Sequence, residues 1–209
     1  MVRKALLDTF YPIVPDSTWL ARLAPLGIRT VQLRAKDIRA ADIRAEILAS
    51  LEIARRFDVQ LIVNDYWREA IEAGADFVHL GQEDLAVADV SHIKAAGLKF
   101  GVSTHDEAEL ATALAVQPDY IALGPVYETK LKAMPWAPQG LARVRQWKDQ
   151  IGPIPLVAIG GMTLGRAPGV LEAGADSIAV ITDFMTGENP DARVAAWVAW
   201  SKGMSLAKR

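Results

Sequence analysis

The chain of 209 residues contains no cysteine. That excludes a disulfide framework, a thiolate nucleophile and a cysteine-ligated zinc site, and leaves oxygen-held hard cations as the metals to consider, magnesium first. Long hydrophobic runs are missing too: the longest unbroken apolar stretch, Val194 to Trp200, falls far short of the roughly 20 residues needed to cross a bilayer. The first ten residues offer only Ala5-Leu6-Leu7 as an apolar segment, too little for a secretory signal, so a cytoplasmic protein is expected. Neither sign of charge dominates, with 23 lysines and arginines against 25 aspartates and glutamates. Without a basic stretch interleaved with aromatics, the electrostatic footprint of a nucleic-acid groove is absent. What the chain does have is 51% hydrophobic residues, 15 glycines and 11 prolines, the composition of a compact protein with a full core. A small-molecule enzyme, one domain over residues 1–209, is the expectation.

Eight short β-rich runs recur: Tyr11 to Val14, Thr30 to Arg34, Leu61 to Asn64, Phe77 to Leu80, Phe100 to Thr104, Tyr120 to Gly124, Leu156 to Gly160 and Ser177 to Ile181. Most lack polar alternation, which is how strands buried on both faces read in parallel sheets covered by helices. Between Asp37 and Phe57, Ile43, Ile47, Leu51 and Ala54 fall at helical spacing while Arg39, Asp42, Arg44, Glu46 and Arg55 take the other face, which predicts an amphipathic helix. Shorter patterns of the same kind run through Asp106 to Val116, Leu141 to Ile151, Thr163 to Ala173 and Asp191 to Leu206. A small-residue turn leads into every second run, at Gly27-Ile28-Arg29-Thr30, Gly74-Ala75-Asp76-Phe77, Pro118-Asp119-Tyr120 and Gly174-Ala175-Asp176-Ser177. This echo divides the chain into quarters of two strand–helix units each. Strands alternating with helices in that number predict an α/β fold, a (β/α)8 TIM barrel, over an open doubly wound sheet.

The active site of such a barrel lies at the C-terminal ends of its strands. Polar residues close or follow five of the runs there: Gln32, Arg34 and Lys36; Asn64 and Asp65; His79, Gln82 and Asp84; Ser103 and His105; then Thr129, Lys130 and Lys132. Asp65 and Asp84 follow adjacent strands. Each could cap the next helix, since aspartate is a preferred N-cap, but two carboxylates beside a phosphate are also the ordinary surroundings of Mg²⁺. Arg34, Lys36 and Lys132 around the same mouth suit a diphosphate, so the substrate is expected to be a polyanion. A second anion site is expected where Ile159-Gly160-Gly161 and Ala179-Val180-Ile181-Thr182 close the last two strands, with backbone N–H groups to hold a phosphate and glycine to let it approach. Among the histidines, His79 reads as a buried structural imidazole, His92 as a helix-surface residue and His105 as a proton carrier at a strand end. Trp197 and Trp200, with Val194 one turn before, read as core packing or a subunit contact.

Taken together, Gln32-Leu33-Arg34-Ala35-Lys36, Asn64-Asp65, the run His79-Leu80-Gly81-Gln82-Glu83-Asp84-Leu85, Gly101-Val102-Ser103-Thr104-His105, the stretch from Gly124-Pro125 to Lys132, and Ile159-Gly160-Gly161 resemble the thiamine-phosphate synthase family. The resemblance covers nearly the whole chain in order. It implies a (β/α)8 barrel that joins a hydroxymethylpyrimidine diphosphate to a thiazole phosphate with Mg²⁺, releasing pyrophosphate and forming thiamine monophosphate by a dissociative substitution. By the same resemblance Gln32, Leu33, Arg34, Ala35, Lys36, Asn64, Ser103 and Lys132 bind the pyrimidine diphosphate, and Arg34, Lys36, Ser103 and Lys132 form the catalytic set. Asp65 and Asp84 serve the magnesium ion. Thr129, Lys130 and Leu131 touch the thiazole, and Gly160, Gly161, Ile181 and Thr182 hold its phosphate. The chain departs from the family pattern at Leu131, where a second threonine is usual, at Thr182, where a serine is usual, and at Asp183, where a small residue is usual. Asp183 would repel a phosphate unless it points away or pairs with a cation.

Two other functions fit parts of the pattern. A thiazole tautomerase of the same barrel family needs neither diphosphate nor metal, and the retained Gln32, Arg34, Lys36, Asp65, Asp84 and Lys132 speak against it. A catalytically silent barrel that binds thiamine phosphates would be expected to lose its metal ligands, which are present. Small phosphorylated molecules are the expected partners, with no nucleic acid or membrane, and a homo-oligomer is left open.

Overall fold

A computed structural model describes residues 6–129 and 137–207 of the protein. Eight parallel strands follow one another around a closed barrel: β1 (Phe10–Val14), β2 (Thr30–Leu33), β3 (Gln60–Asn64), β4 (Phe77–Leu80), β5 (Lys99–Thr104), β6 (Tyr120–Leu123), β7 (Leu156–Ile159) and β8 (Ser177–Val180). β8 returns to pair with β1, Ala179 opposite Tyr11, which closes the sheet. The expected TIM-barrel fold is the fold formed.

The helices among the described residues are α1 (Ser17–Leu23), α2 (Ile43–Arg56), α3 (Trp67–Ala73), α4 (Gln82–Val87), α5 (Val90–Ala95), α6 (Glu107–Ala115), α7 (Gly140–Ile151), α8 (Ala167–Glu172), α9 (Thr182–Met185) and α10 (Pro190–Ala207). Two begin later than the hydrophobic pattern predicts. The amphipathic segment from Asp37 becomes α-helical only at Ile43, after a 3₁₀ turn at Ala40–Asp42 that follows an extended Arg39. The segment from Thr163 becomes helical at Ala167, where Pro168 sits in the first turn, the one part of a helix that does not need its missing N–H.

Side chains alternate across the barrel wall, as the period of a strand requires. Phe10, Val31, Leu33, Leu61, Val63, Val78, Leu80, Phe100 and Ile178 join the large core between strands and helices. Tyr11, Ile13, Ile62, Phe77, Tyr120, Val157 and Ala179 fill the lumen as a second, smaller cluster. Parity with these residues sends Gln32, Asn64, His79 and Ser103 inward as well. Gly101 is a packing necessity: a Cβ there would lie 2.1 Å from Tyr120 Cζ, inside the volume the ring occupies. At the far end of the chain α10 presses Trp197, fully buried, flat against Phe10 at 5.2 Å, with Trp200 edge-on to it at 5.5 Å. Of the two roles read for that stripe, core packing is the one these contacts give Trp197.

Candidate active site

Inside the barrel a file of polar groups crosses from β2 to β5. Gln32 Nε2 donates to Tyr11 Oη at 2.9 Å, and Tyr11 and Tyr120 share a hydrogen bond of 3.0 Å. Tyr120 Oη lies 2.7 Å from His79 Nδ1, and His79 Nε2 lies 2.8 Å from Ser103 Oγ. Burial pushes the His79 imidazole down to about 4, with the Asp65 carboxylate opposing and Arg34 assisting, so the ring is neutral at physiological pH. Burial also pushes both phenols well above their ordinary range, and each keeps its hydrogen. His79 is thus the buried, bonded imidazole anticipated from the sequence, stacked on Tyr120 at 5.5 Å. From outside the barrel, Gln82 on α4 donates to the Ser103 carbonyl at 2.7 Å and anchors the end of β5.

Above this file lie the two carboxylates. The caps of α1, α5 and α6 are Asp16, Asp89 and Asp106, each accepting from a backbone N–H in the first turn. Neither α3 nor α4 has a side-chain cap, so Asp65 and Asp84 are not spent on helix termini. Asp65 adopts the left-handed conformation at φ 67°, uncommon outside glycine and costing free energy that the surroundings must offset. Its N–H is held by the His79 carbonyl at 2.9 Å while the next two residues turn sharply into α3. The Asp65 carboxylate meets Lys36 Nζ in an ion pair. Partial burial together with the hydrogen bond and charge of Asp65 pushes the Asp84 carboxyl up to about 6. A carboxyl raised by a neighbouring carboxylate is an arrangement that a divalent cation would relieve. Arg34 and Lys36 are both exposed at this mouth.

Leu33 and Ala35, counted above with the pyrimidine-binding run, turn their side chains into the strand–helix core, where they are 1% and 3% exposed. Only their backbone remains for a ligand. Alternation sends every second residue of that run away from the lumen.

At the other side of the mouth Gly160 and Gly161 have φ of 100° and 64°. The sequence offers an approaching anion as the reason for glycine here. A nearer reason is protein: a Cβ on Gly160 would lie 2.6 Å from Pro125 Cα, and one on Gly161 would lie 2.5 Å from the Glu128 carbonyl oxygen. The loop after β6 is clamped there by Val126 N–H to Ile159 O at 2.8 Å and Tyr127 N–H to Gly160 O at 3.1 Å. Thr129, at the end of this described loop, is therefore carried to the same side as the glycines. Ile181 packs against the lumen cluster and Thr182 opens α9. Lys130, Leu131 and Lys132 lie outside the described residues.

Asp183 does not face an anion. Arg193 on α10 holds its two oxygens at 2.8 and 2.9 Å, and Trp197 Nε1 donates to one of them at 2.7 Å. The carboxylate that departs from the family pattern is a latch between α9 and α10. Asp183→Ala should destabilise the protein by about 2 kcal/mol, below the ~3–5 kcal/mol of a fully buried pair because the Arg193 side chain is 37% exposed. It should also raise KM for a ligand held by Thr182 while leaving affinity for a diphosphate at Arg34 and Lys36 unchanged. Thermal melting with paired KM values checks this, and an unchanged melting temperature would refute the latch.

His105, read as a proton carrier, is bonded through Nδ1 to Glu109 at 2.7 Å on the first turn of α6, apart from the lumen file. The polar groups of the lumen that inspection of strand C-terminal ends overlooks are Tyr11, the second residue of β1, and Tyr120, which opens β6. Their only sequence signal is parity: each lies on the face of its strand that a (β/α)8 barrel turns inward.

Comparison with known proteins places this geometry. A sequence model of the family described as thiamine monophosphate synthase matches residues 11–184. A thiamine-phosphate synthase of Rhizobium etli is 55% identical over 193 residues, covering 92% of this chain and 95% of that protein. One from Salmonella newport is 51% identical over 172 residues, 82% of each. Among solved structures, a thiamine phosphate pyrophosphorylase from Pyrococcus furiosus superposes with a TM-score of 0.81 at 25% identity, covering 93% of this chain and 96% of that one. With a family model matching residues 11–184 and a relative 55% identical over 92% of this sequence, the chain belongs to the thiamine monophosphate synthase family.

Proposed function

We propose that this chain, a transferase by its family, joins a hydroxymethylpyrimidine diphosphate to a thiazole phosphate and releases pyrophosphate and thiamine monophosphate. The observation that carries the reading is the composition of the mouth: burial and the neighbouring Asp65 raise the Asp84 carboxyl, neither carboxylate caps a helix, Lys36 pairs with Asp65, Arg34 is exposed beside them, and the Ser103 hydroxyl stands at the lumen end.

Two carboxylates fit Mg²⁺, which keeps several waters and takes phosphate oxygens for the rest. Bound there, the ion would neutralise negative charge on the leaving diphosphate. Arg34 and Lys36 bind the same diphosphate and lower the cost of its departure, because fixed cations act most strongly where charge develops. In the dissociative substitution the carbon–oxygen bond to the diphosphate breaks with both electrons leaving on oxygen. The pyrimidine methylene cation so formed is captured by the lone pair of the thiazole nitrogen. No proton need move at the reacting atoms, which agrees with a lumen whose histidine and phenols are all neutral. Backbone and hydroxyl groups of Gly160, Gly161, Ile181 and Thr182 hold the thiazole phosphate at the opposite side, and Thr129 borders the thiazole; the roles read for Lys130, Leu131 and Lys132 fall on residues outside those described.

Incubation of the protein with both substrates and Mg²⁺ should yield pyrophosphate and thiamine monophosphate in equal amounts. Isomerisation of the thiazole phosphate with no pyrophosphate released would instead assign the tautomerase activity. Turnover of neither substrate would overturn the reading in favour of a silent binding barrel.

A further inference from the structure

We infer that Tyr11, Tyr120 and His79 are positioning residues that run a one-way file of hydrogen bonds across the barrel and fix the Ser103 hydroxyl as a donor aimed at the mouth.

The direction follows from counting hydrogens. Gln32 presents its amide nitrogen to Tyr11 Oη, so Tyr11 accepts there, and with every hydrogen of this buried file spent on a partner its own goes to Tyr120. Tyr120 then spends its own hydrogen on His79 Nδ1, which must be bare to receive it. A neutral imidazole with a bare Nδ1 carries its hydrogen on Nε2, and that nitrogen faces Ser103 Oγ. Ser103 is thereby an acceptor on its inner side, and its hydrogen is left for a partner outside the file. Among the described residues no protein group is bonded to that hydroxyl other than His79.

The opposite polarity, with every hydrogen reversed, requires the Gln32 amide to be turned so that its oxygen accepts from Tyr11. Ser103 would then give its hydrogen inward and turn only lone pairs toward the mouth, where Arg34 and Lys36 gather anions; an anionic ligand would meet a second negative surface. The anion selects the outward donor, so the inference deepens the proposed function and rests on it for the identity of the ligand. Ring packing holds the file in place: Tyr120 is fully buried, with Phe77 at 5.6 Å, His79 at 5.5 Å and Tyr11 at 6.3 Å between ring centres. Gly101 leaves the room its ring needs. A hydroxyl whose rotor is set before binding loses less entropy when it bonds the ligand, and so favours a charge that appears late in the reaction.

The tautomer of His79 can be read without substrate, from the ring couplings of ¹⁵N-labelled wild-type protein by NMR. The Nε2–H form is expected, and the Nδ1–H form would overturn the inference whatever the enzyme turns over. In the kinetic arm, Tyr120→Phe should lower kcat/KM about tenfold, the loss expected of a well-directed hydrogen bond to a charged group. In a Ser103→Ala background the same change should cost less than about twofold, because the file then has no end to direct. His79→Gln, which keeps an amide nitrogen near the Nε2 position, should retain more activity than His79→Asn, which does not. Equal losses from Tyr120→Phe in both backgrounds would mean that the phenol only packs. A wild-type protein that turns over neither substrate would sink the proposed function while leaving the tautomer result intact.

Discussion

Replacing Asp84 by asparagine is expected to abolish most of the activity and, in the same protein, to raise stability at neutral pH when no divalent cation is present. The two effects share one cause. The Asp84 carboxyl titrates at about 6 instead of 3.8, chiefly because partial burial and the neighbouring Asp65 disfavour a second negative charge. A carboxyl raised in the folded state binds more protons there than in the unfolded chain, so stability falls as pH rises through the window from about 4 to about 6. Above that window both carboxylates are charged and repel each other unless a cation joins them. Asparagine removes the repulsion. Because Asp84 is partly exposed, solvent screens the gain to about 1 kcal/mol or less, or roughly 2–4 °C in melting temperature. Added Mg²⁺ should stabilise the wild type more at pH 7 than at pH 5 and should do little to the variant. Catalysis should drop by about 100-fold or more, since charge neutralisation by a metal is worth several kcal/mol. Wild-type turnover by the variant at limiting Mg²⁺, or a melting profile as pH-dependent as the wild type's, would remove Asp84 from the metal site.

Gly101→Ala is expected to be among the most damaging single-methyl additions in the barrel. The new carbon would lie 2.1 Å from Tyr120 Cζ and 2.2 Å from Cε1, and the ring has nowhere to retreat, enclosed by Phe77, His79 and Tyr11. Overpacking of this kind costs about 1–3 kcal/mol, sometimes more. A displaced Tyr120 also breaks its bonds to Tyr11 and His79, and each buried group left without a partner adds about 1–3 kcal/mol. Melting should fall by on the order of 10 °C, and activity should fall with it because the file to Ser103 is cut. Gly101→Ala combined with Tyr120→Leu, which clears the space, should be more stable than Gly101→Ala alone. A single variant that melts within about 2 °C of wild type would show that the lumen is looser than its packing indicates.

The strands were legible because each is buried on both faces. All eight β-rich runs lie within one residue of the strands formed, and an unbroken apolar run with a polar end needs no tertiary information to be recognised. The mouth was legible for a related reason: residues that follow a strand, such as Arg34, Asp65 and Asp84, are polar against an apolar background. The short helices α3, α4 and α9 carry too few turns to display a period, and their boundaries depend on how neighbouring loops pack. Side-chain direction within the run Gln32 to Lys36 needed strand parity as well as composition, which is why Leu33 and Ala35 turn out to face the helices. The hydrogen-bonded file joins residues 41 and 109 positions apart in sequence, a separation across which no local pattern reaches. Asp183 illustrates the same limit. Its residue type signals repulsion of a phosphate, and only the fold brings Arg193 and Trp197 to its oxygens.

The most direct test of the shared mouth is a crystal structure of the protein with inorganic pyrophosphate, thiamine monophosphate and Mg²⁺. The account predicts pyrophosphate on Arg34 and Lys36, an ion bridging it to Asp65 and Asp84, the Ser103 hydroxyl within hydrogen-bond distance of a ligand, and the thiamine phosphate group against Gly160, Gly161 and Thr182. Pyrophosphate bound away from Arg34 and Lys36, or an ion that touches neither Asp65 nor Asp84, would contradict it.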